Sequence, residues 1–326
     1  MLFGMKNIVF LLPQAANIAS LETARQGFLA ANDYLRLQGR APRFALRTLA
    51  VTPEVRLDEG RITVQADGVL ADARDIDLCI APPLLGPVPE AVASNRGMID
   101  WLARHHQAGG EVASLCMGAA LLAAGGLLDG RQAVVHWAAQ ALYASLFPQV
   151  DWISDRIVLA EGGVYTSGGA FSAAHLVLHL IERDTDRDTA IWCAKYFQLD
   201  WGRQSQLPFS VFMGQKSHAD RVVQAVQSEI EERYTQKITV EALARRHALG
   251  RRSLERRFRL ATGNSIVEYL QRVRVEAAKQ RLESSRKSVA EVMYDVGYND
   301  SKAFREVFSK HCGMSPVSYR ERYRGG

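Results

Sequence analysis

Short apolar runs alternate with amphipathic stretches along the first two thirds of the chain. Residues 6–12 contain the run Ile-Val-Phe-Leu-Leu, which is typical of a strand buried on both faces of a parallel sheet, and residues 21–37 show helical periodicity. The same reasoning predicts strands at 43–51, 77–81, 111–115, 152–158 and 164–167, a short hairpin element at 61–65, and helices at 90–107, 170–181 and 186–197. Strands that alternate with helices favour an α/β fold with a doubly wound, mostly parallel sheet.

The last hundred residues show helical periodicity alone, and they contain an internal repeat with a period of 50. Phe, Gly, Ser, Val and Tyr recur at the same offsets, as Phe258, Gly263, Ser265, Val267 and Tyr269 and then as Phe308, Gly313, Ser315, Val317 and Tyr319. Such a period indicates a duplicated supersecondary unit. Each copy predicts two short helices joined by a tight turn, that is, helix-turn-helix motifs at 239–261 and 288–311.

Helix starts and a lapse in periodicity divide the chain into domains. Ser265 and Ser288 each precede a glutamate by three residues, which is the spacing of a capping box. Ser265 therefore begins a long helix, to about Ser284, that joins the two motifs. Periodicity lapses at 201–216, where a proline and a glycine favour a linker. The prediction is an α/β domain at 1–200 followed by an all-α domain at 217–326.

The second helix of each motif keeps a charged face once its buried residues are set aside. That face comprises Arg251, Arg252, Glu255, Arg256 and Arg259 in the first motif and Ser301, Lys302, Arg305, Glu306 and Lys310 in the second. The second helix of such a motif enters the major groove, where Arg and Lys bind phosphates and guanine edges. A charged face is also typical of an ordinary solvated helix.

The distribution of charge favours the DNA-binding interpretation of these faces. Residues 216–326 contain 23 Lys and Arg against 14 Asp and Glu, whereas residues 1–215 contain 17 against 21. This asymmetry indicates that one half of the chain contacts a polyanion.

These features make the segment from about Ser217 onward resemble the DNA-binding domain of the AraC/XylS family of transcriptional regulators. The resemblance rests on 244–250 with Leu254 and Phe258, on Val-Gly-Tyr-Asn-Asp-Ser-Lys-Ala-Phe at 296–304, and on Gly-Met-Ser-Pro at 313–316. It implies double-stranded promoter DNA as a partner. The implied base contacts fall on Arg252, Glu255, Arg256, Ser301, Lys302, Arg305 and Glu306, with Arg251 on the same face. One departure is Ile266, which stands where the second copy has Pro316.

A second candidate site follows the predicted strand at 111–115. Cys116 is placed where that strand meets a helix, and Gly118 and Ala119 allow close packing, as in a nucleophile elbow. The helix N-terminus would lower the pKa of a thiol at this position. His136 follows twenty residues later and is a candidate general base.

With Leu-Leu-Asp-Gly-Arg at 127–131 and Thr-Ser-Gly-Gly at 166–169, these residues resemble the PfpI-like branch of the class I glutamine-amidotransferase-like superfamily over about 5–195. The resemblance implies a flavodoxin-like sheet. Its enzymes use an elbow cysteine, a histidine and often an acidic residue from the first strand–helix loop. The combination of such a domain with an AraC-type domain resembles the GlxA-type subfamily of regulators.

Three departures argue against catalysis. The loop at 13–20 contains no carboxylate, and Met117 follows the cysteine where protease-like members have histidine. The loop at 81–86 reads Ala-Pro-Pro-Leu-Leu-Gly where relatives place Gly-Gly, and proline has no N–H to donate to an oxyanion. We therefore predict a ligand pocket without catalytic residues, formed by Asn17, Pro82, Cys116, Met117 and His136.

Several alternatives remain at this point. Cys116 fits a buried packing residue, a pocket residue or a working nucleophile, so a Cys-dependent amidase or hydrolase fused to a DNA-binding domain stays open. The α/β domain also fits a simple dimerisation scaffold. All five tryptophans lie at or before residue 201, and an aromatic cage for a cationic amine is conceivable.

The expectation is a homodimeric cytoplasmic regulator that senses a small, nitrogenous effector. Four widely spaced cysteines give neither metal-ligand spacing nor a disulfide framework, and the apolar run near the start is too short to span a membrane. No metal, cofactor or membrane partner is expected.

Overall fold

The computed structural model describes residues 4–169 and 173–324. The chain divides into two compact units, Met1–Gln206 and Leu207–Gly326. The division falls inside the linker predicted at 201–216. No helix in the described residues is long and apolar enough to cross a membrane.

The first unit is built on a seven-stranded sheet. The strands described in the whole unit are β1 (Lys6–Leu11), β2 (Phe44–Ala50), β3 (Glu54–Leu57), β4 (Ile62–Gln65), β5 (Gly68–Val69), β6 (Leu78–Ala81), β7 (Glu111–Ser114), β8 (Gln132–Val134), β9 (Asp151–Ile153), β10 (Val158–Glu161) and β11 (Val164–Ser167). The order in the large sheet is β10-β11-β7-β6-β1-β2-β5, and every pair is parallel except β10–β11. This confirms the predicted doubly wound, mostly parallel sheet. β3 and β4 form a separate hairpin, of which β4 matches the hairpin element predicted at 61–65 while β3 was not predicted, and β8 pairs with β9.

Helices cover both faces of the sheet. They are α1 (Ile18–Leu37), α2 (Val88–Ser94), α3 (Arg96–Gln107), α4 (Ala119–Ala124), α5 (Gln140–Leu146), α6 (Ala173–Asp184) and α7 (Arg187–Tyr196). Alternate residues of β1 enter two different cores: Ile8 and Phe10 pack with the helices α1, α6 and α7, and Val9 and Leu11 pack with α3 and α4. The apolar run at the start of the chain is therefore buried on both sides.

Two predicted elements differ from the structure, and the start of a third lies outside the described residues. The helix predicted at 90–107 is interrupted at Asn95, whose buried amide binds the backbone of Gln14 at 2.7 and 2.9 Å and so ties this junction to the loop after β1. The strand predicted at 152–158 is two strands, because β9 pairs with β8 while β10 joins the large sheet. Residues 170–172 of the helix predicted at 170–181 lie outside the described residues, and α6 is described from Ala173.

The second unit is helical. Its helices are α8 (Arg221–Arg233), α9 (Val240–Arg246), α10 (Arg251–Thr262), α11 (Ile266–Ser284), α12 (Val289–Asp295), α13 (Ser301–Cys312) and α14 (Pro316–Tyr323). Helices α9 and α10 form the first helix-turn-helix motif, and α12 and α13 form the second. Both α10 and α13 end at a glycine in the left-handed conformation, Gly263 and Gly313, as the repeat predicts. The capping box is complete at Ser288 and Glu291, while Ser265 caps α11 by accepting from the Glu268 N–H.

Each motif has its own core, and α11 belongs to both. Leu254 and Phe258 of α10 pack with Tyr269 near the start of α11, whereas Phe304 and Phe308 of α13 pack with residues nearer its end, such as Leu282. All these side chains are almost fully buried. The long helix is thus the common support of the two repeats.

Candidate functional site

Cys116 stands on a sharp turn between β7 and α4. Its φ angle is 51°, a left-handed conformation that is costly for a residue with a side chain, and only 6 % of its surface is exposed. Gly118 permits the turn, because a Cβ atom there would lie 2.5 Å from the carbonyl oxygen of Pro82 and 2.6 Å from that of Ala81. The predicted elbow geometry is therefore present.

Side chains distant in sequence hold this elbow. The buried Tyr143 hydroxyl donates to the Met117 carbonyl oxygen at 2.6 Å. Burial raises the pKa of Tyr143, so that the hydroxyl remains a donor. The Cys116 N–H donates to Ser167 Oγ at 3.4 Å, and Ser167 in turn donates to the Ser114 carbonyl oxygen at 3.2 Å. Sequence reasoning missed Tyr143, which lies on a helix that it did not predict.

The elbow opens into a cavity of about 320 Å³. Four of the five predicted pocket residues line it, namely Asn17, Cys116, Met117 and His136, together with Ala19, Ser20, Thr23, Ala24, Pro83, Leu84, Leu85, Ala173 and Ala174. Pro82 is the exception. It is buried with its carbonyl oxygen towards Gly118, and the next residue, Pro83, lines the cavity in its place.

Gln206 and two glycines fix the loop that contains His136. The buried Gln206 amide donates to two backbone carbonyl oxygens at 3.0 and 2.9 Å, and its oxygen accepts from two backbone N–H groups at 3.3 Å. A Cβ atom on Gly168 would lie 2.3 Å from the Gln206 side chain, and one on Gly169 would lie 1.7 Å from the His136 ring. The Thr-Ser-Gly-Gly sequence therefore makes room for both side chains.

The protonation state of His136 follows from its surroundings. Its Nδ1 atom accepts a hydrogen bond from the Ala138 N–H at 3.1 Å, so the lone pair is on Nδ1 and the proton is on Nε2. Burial lowers the pKa of His136 below its ordinary value, which favours the neutral ring. His136 is thus a neutral hydrogen-bond donor through Nε2.

The described residues that line the cavity include no Asp, Glu, Lys or Arg, and no Trp, Tyr or Phe. The tryptophans lie elsewhere: Trp152, for example, packs edge-on against Tyr143, and Trp192 stacks between Tyr34 and Tyr196. The described lining therefore gives no aromatic cage for a cation.

The second unit presents the predicted DNA-contacting side chains on α10 and α13. The exposed members of this set are Arg251, Arg252, Arg256, Ser301, Lys302, Arg305 and Glu306, whereas Glu255 is partly buried. Arg251 lies 2.5 Å from a Glu241 carboxylate oxygen and 3.2 Å from a Glu255 carboxylate oxygen. Because two carboxylates offset its charge, Arg252 and Arg256 contribute more of the positive potential of α10.

A neighbouring arginine has a different position. Arg257 forms two hydrogen bonds with Asp220, at 2.9 and 2.7 Å, and Asp220 caps the start of α8. The hydrogen bonds from Arg257 hold the pKa of Asp220 below its usual range. Arg257 therefore fastens α8 to α10 and does not belong to the exposed face.

Two family models match the chain. A helix-turn-helix domain family matches residues 243–322, and the DJ-1/PfpI family matches residues 40–183. The HTH-type transcriptional regulator CdhR of Pseudomonas aeruginosa is 26 % identical over 90 % of this chain and 87 % of its own length. The HTH-type transcriptional regulator GlxA of Rhizobium meliloti is 25 % identical over 98 % of this chain and 97 % of its own.

Two solved structures share the fold. An AraC family transcriptional regulator from Pseudomonas putida is similar with a TM-score of 0.50 and 20 % identity, over 59 % of this chain and 99 % of that one. A ThiJ/PfpI family protein from Pseudomonas syringae is similar with a TM-score of 0.50 and 18 % identity, over 61 % of this chain and 76 % of that one.

Proposed function

Since the chain belongs to the HTH-type transcriptional regulators that join a DJ-1/PfpI domain to an AraC-type helix-turn-helix domain, we propose that its cavity beside Cys116 binds a small effector without turnover. Effector binding then changes how α10 and α13 are presented to promoter DNA. A ligand shifts such an equilibrium only by its different affinity for the two states.

The hydrogen bond from the Ala138 N–H to His136 Nδ1 is the observation that supports binding without turnover. A general base needs a lone pair within reach of the thiol proton, but the Nδ1 lone pair accepts from Ala138 and Nε2 already has a proton. Pro83 lines the cavity and has no N–H to donate. The described cavity lining also lacks a carboxylate.

The alternative is a Cys-dependent hydrolase, and one observation favours it. Cys116 keeps the strained left-handed conformation of an elbow, with a φ angle of 51°. Strain of this kind is common at active sites. The experiment on the cavity must therefore separate binding from turnover.

Thermal unfolding of the intact protein with a panel of small metabolites separates these functions. All five tryptophans lie within the first unit, so intrinsic tryptophan fluorescence reports on the unit that contains the cavity. A ligand at a hundred times its dissociation constant stabilises by about 2.7 kcal/mol. A ligand that stabilises wild type, remains intact during incubation and loses its effect in Cys116→Ala supports sensing. Consumption of the ligand by wild type but not by Cys116→Ala supports the hydrolase, and no stabilising ligand supports the scaffold.

For DNA, we propose that Arg252, Arg256, Lys302 and Arg305 provide the main contacts, with Ser301 and Glu306 at the same face. The repeat supports two recognition helices in successive major grooves, about one helical turn apart. Missing-contact footprinting tests this: two protected major-groove segments are expected, and a single segment contradicts it. A homodimer in the cytoplasm remains part of the proposal, and light scattering of the purified protein tests the dimer.

A further inference from the structure

Two polar side chains of the Cys116 cavity, Asn17 and His136, share one property: each has an acceptor atom that is already used by the protein itself. Asn17 caps α1, and its side-chain oxygen accepts from the Ser20 N–H at 3.0 Å. The Asn17 NH2 group is what remains for a ligand. His136 uses Nδ1 in the same way and keeps its Nε2–H. Both side chains thus offer donors to the cavity.

The charge of the lining limits the ligand further. The described residues around the cavity contain no ionised side chain, and burial keeps His136 neutral. Burying an ammonium group or a carboxylate opposite neutral groups costs free energy that no counter-charge there offsets. Apart from the neutral hydroxyl groups of Ser20 and Thr23, the other side chains of the lining are largely apolar, with Leu84, Met117 and Ala24 among them.

We infer that the ligand of this cavity is an uncharged small molecule with a carbonyl group, such as a primary amide or a ketone, on an apolar body. The carbonyl oxygen accepts from Asn17 and His136, and the apolar body contacts Leu84 and Met117. This inference rests on the proposed sensing function and gives its effector a chemical class. An amide nitrogen agrees with the nitrogenous effector expected from the sequence, whereas a cationic amine does not.

Three probes with one carbon skeleton test the class: isovaleramide, isovalerate and isoamylamine, each titrated against the intact protein while tryptophan fluorescence follows unfolding. We expect the amide to raise the unfolding midpoint, with an apparent Kd at least about tenfold lower than that of either charged probe. The class is overturned if the amine or the carboxylate stabilises wild type as well as the amide does, or if the amide has no effect.

Asn17→Asp provides an isosteric variant. Aspartate caps helices as well as asparagine does, so the hydrogen bond to the Ser20 N–H is kept while the NH2 donor is replaced by a charged acceptor. The amide should lose its effect and isoamylamine should gain one. An unchanged preference for the amide in this variant contradicts the role of the Asn17 donor. The midpoint without ligand checks that the variant folds.

Ala19→Trp separates failure of the ligand class from failure of the proposed function. Ala19 is exposed in the first turn of α1 and lines the cavity, so a tryptophan there fills the cavity from its open side. If no ligand raises the unfolding midpoint of this variant, the result supports binding in the cavity. If a charged metabolite stabilises wild type and Ala19→Trp abolishes that effect, sensing stands and the inferred class is wrong. If ligand shifts persist in Ala19→Trp, the cavity is not the site and both ideas fall.

Discussion

Gly297 has two independent reasons to be glycine, and a matched pair of substitutions separates them. Its φ angle is 83°, in the turn between α12 and α13. A Cβ atom there would also lie 2.6 Å from the carbonyl oxygen of Thr235 and 3.0 Å from Arg274 Nη2. Gly263, at the end of α10, has a φ angle of 70° and no atom within 4 Å of the corresponding position.

The expected loss of unfolding free energy follows from the left-handed conformation and from the close contacts of the added Cβ atom. A left-handed conformation costs a residue with a side chain about 1–2 kcal/mol, and this should be the whole loss of unfolding free energy for Gly263→Ala. Gly297→Ala adds overpacking against a backbone atom that cannot rotate away, at about 1–3 kcal/mol. The expected total for Gly297→Ala is about 2–5 kcal/mol.

Urea unfolding of both variants is followed by circular dichroism at 222 nm, to which the helices of both units contribute, and by tryptophan fluorescence, to which the second unit does not contribute because it contains no tryptophan. Tryptophan fluorescence of the first unit serves as the internal control and should not change. Equal losses for the two variants would refute the steric argument, since only the shared backbone term would then be present. Gly297→Ala should also weaken DNA binding more than Gly263→Ala, because the turn it occupies positions α13.

Three further outcomes are expected. Arg256→Ala should relax the sequence preference at one operator position, at a cost of about 1–3 kcal/mol in binding free energy, whereas Arg257→Ala should lower stability and keep the sequence preference. Selection of binding sites with each variant measures this, and a relaxed preference in Arg257→Ala but not in Arg256→Ala would contradict the assignment. Tyr143→Phe leaves the Met117 carbonyl oxygen without its donor, so it should lower stability by about 1–3 kcal/mol and weaken effector binding, and calorimetry that finds neither change contradicts the account. Burial, helped by Arg272 and Lys310 and opposed by Glu268, lowers the pKa of His311 to about 4, below its unfolded value near 6.5. The folded state therefore binds this proton less readily, and stability should fall as the pH drops from about 6.5 to 4. His311→Gln should reduce the dependence of stability on pH between about 6.5 and 4. An unchanged dependence in this variant would show that other titrating groups cause it.

The fold could be predicted because its signals are local. The apolar run at 6–12 is buried on both faces of the sheet, and the spacing of Phe304 and Phe308 places both on the inner face of one helix. The recurring glycines mark the ends of α10 and α13, where a left-handed residue is needed. Periodicity and turn chemistry depend on neighbours in sequence, and the sequence contains them directly.

The supports of the cavity could not be predicted, since they depend on the order of strands. Tyr143, Ser167 and Gln206 lie 26, 51 and 71 residues from the groups that they hold. Nothing in the sequence around Gln206 distinguishes it from an ordinary linker glutamine. The same limit applies to the two prolines that follow β6: Pro83 lines the cavity where the sequence predicts Pro82, and the next residue, Leu84, bridges to Ala16 in the loop after β1.

The shared helix α11 has a consequence for the promoter. Its 19 residues span about 28 Å at 1.5 Å per residue, and one end is built into each repeat. A continuous helix of this kind fixes the distance between the two helix-turn-helix motifs. On the proposed contact of both α10 and α13 with DNA, the operator must keep its two half-sites in phase, because five added base pairs would turn the second half-site to the opposite side of the duplex, out of reach of α13.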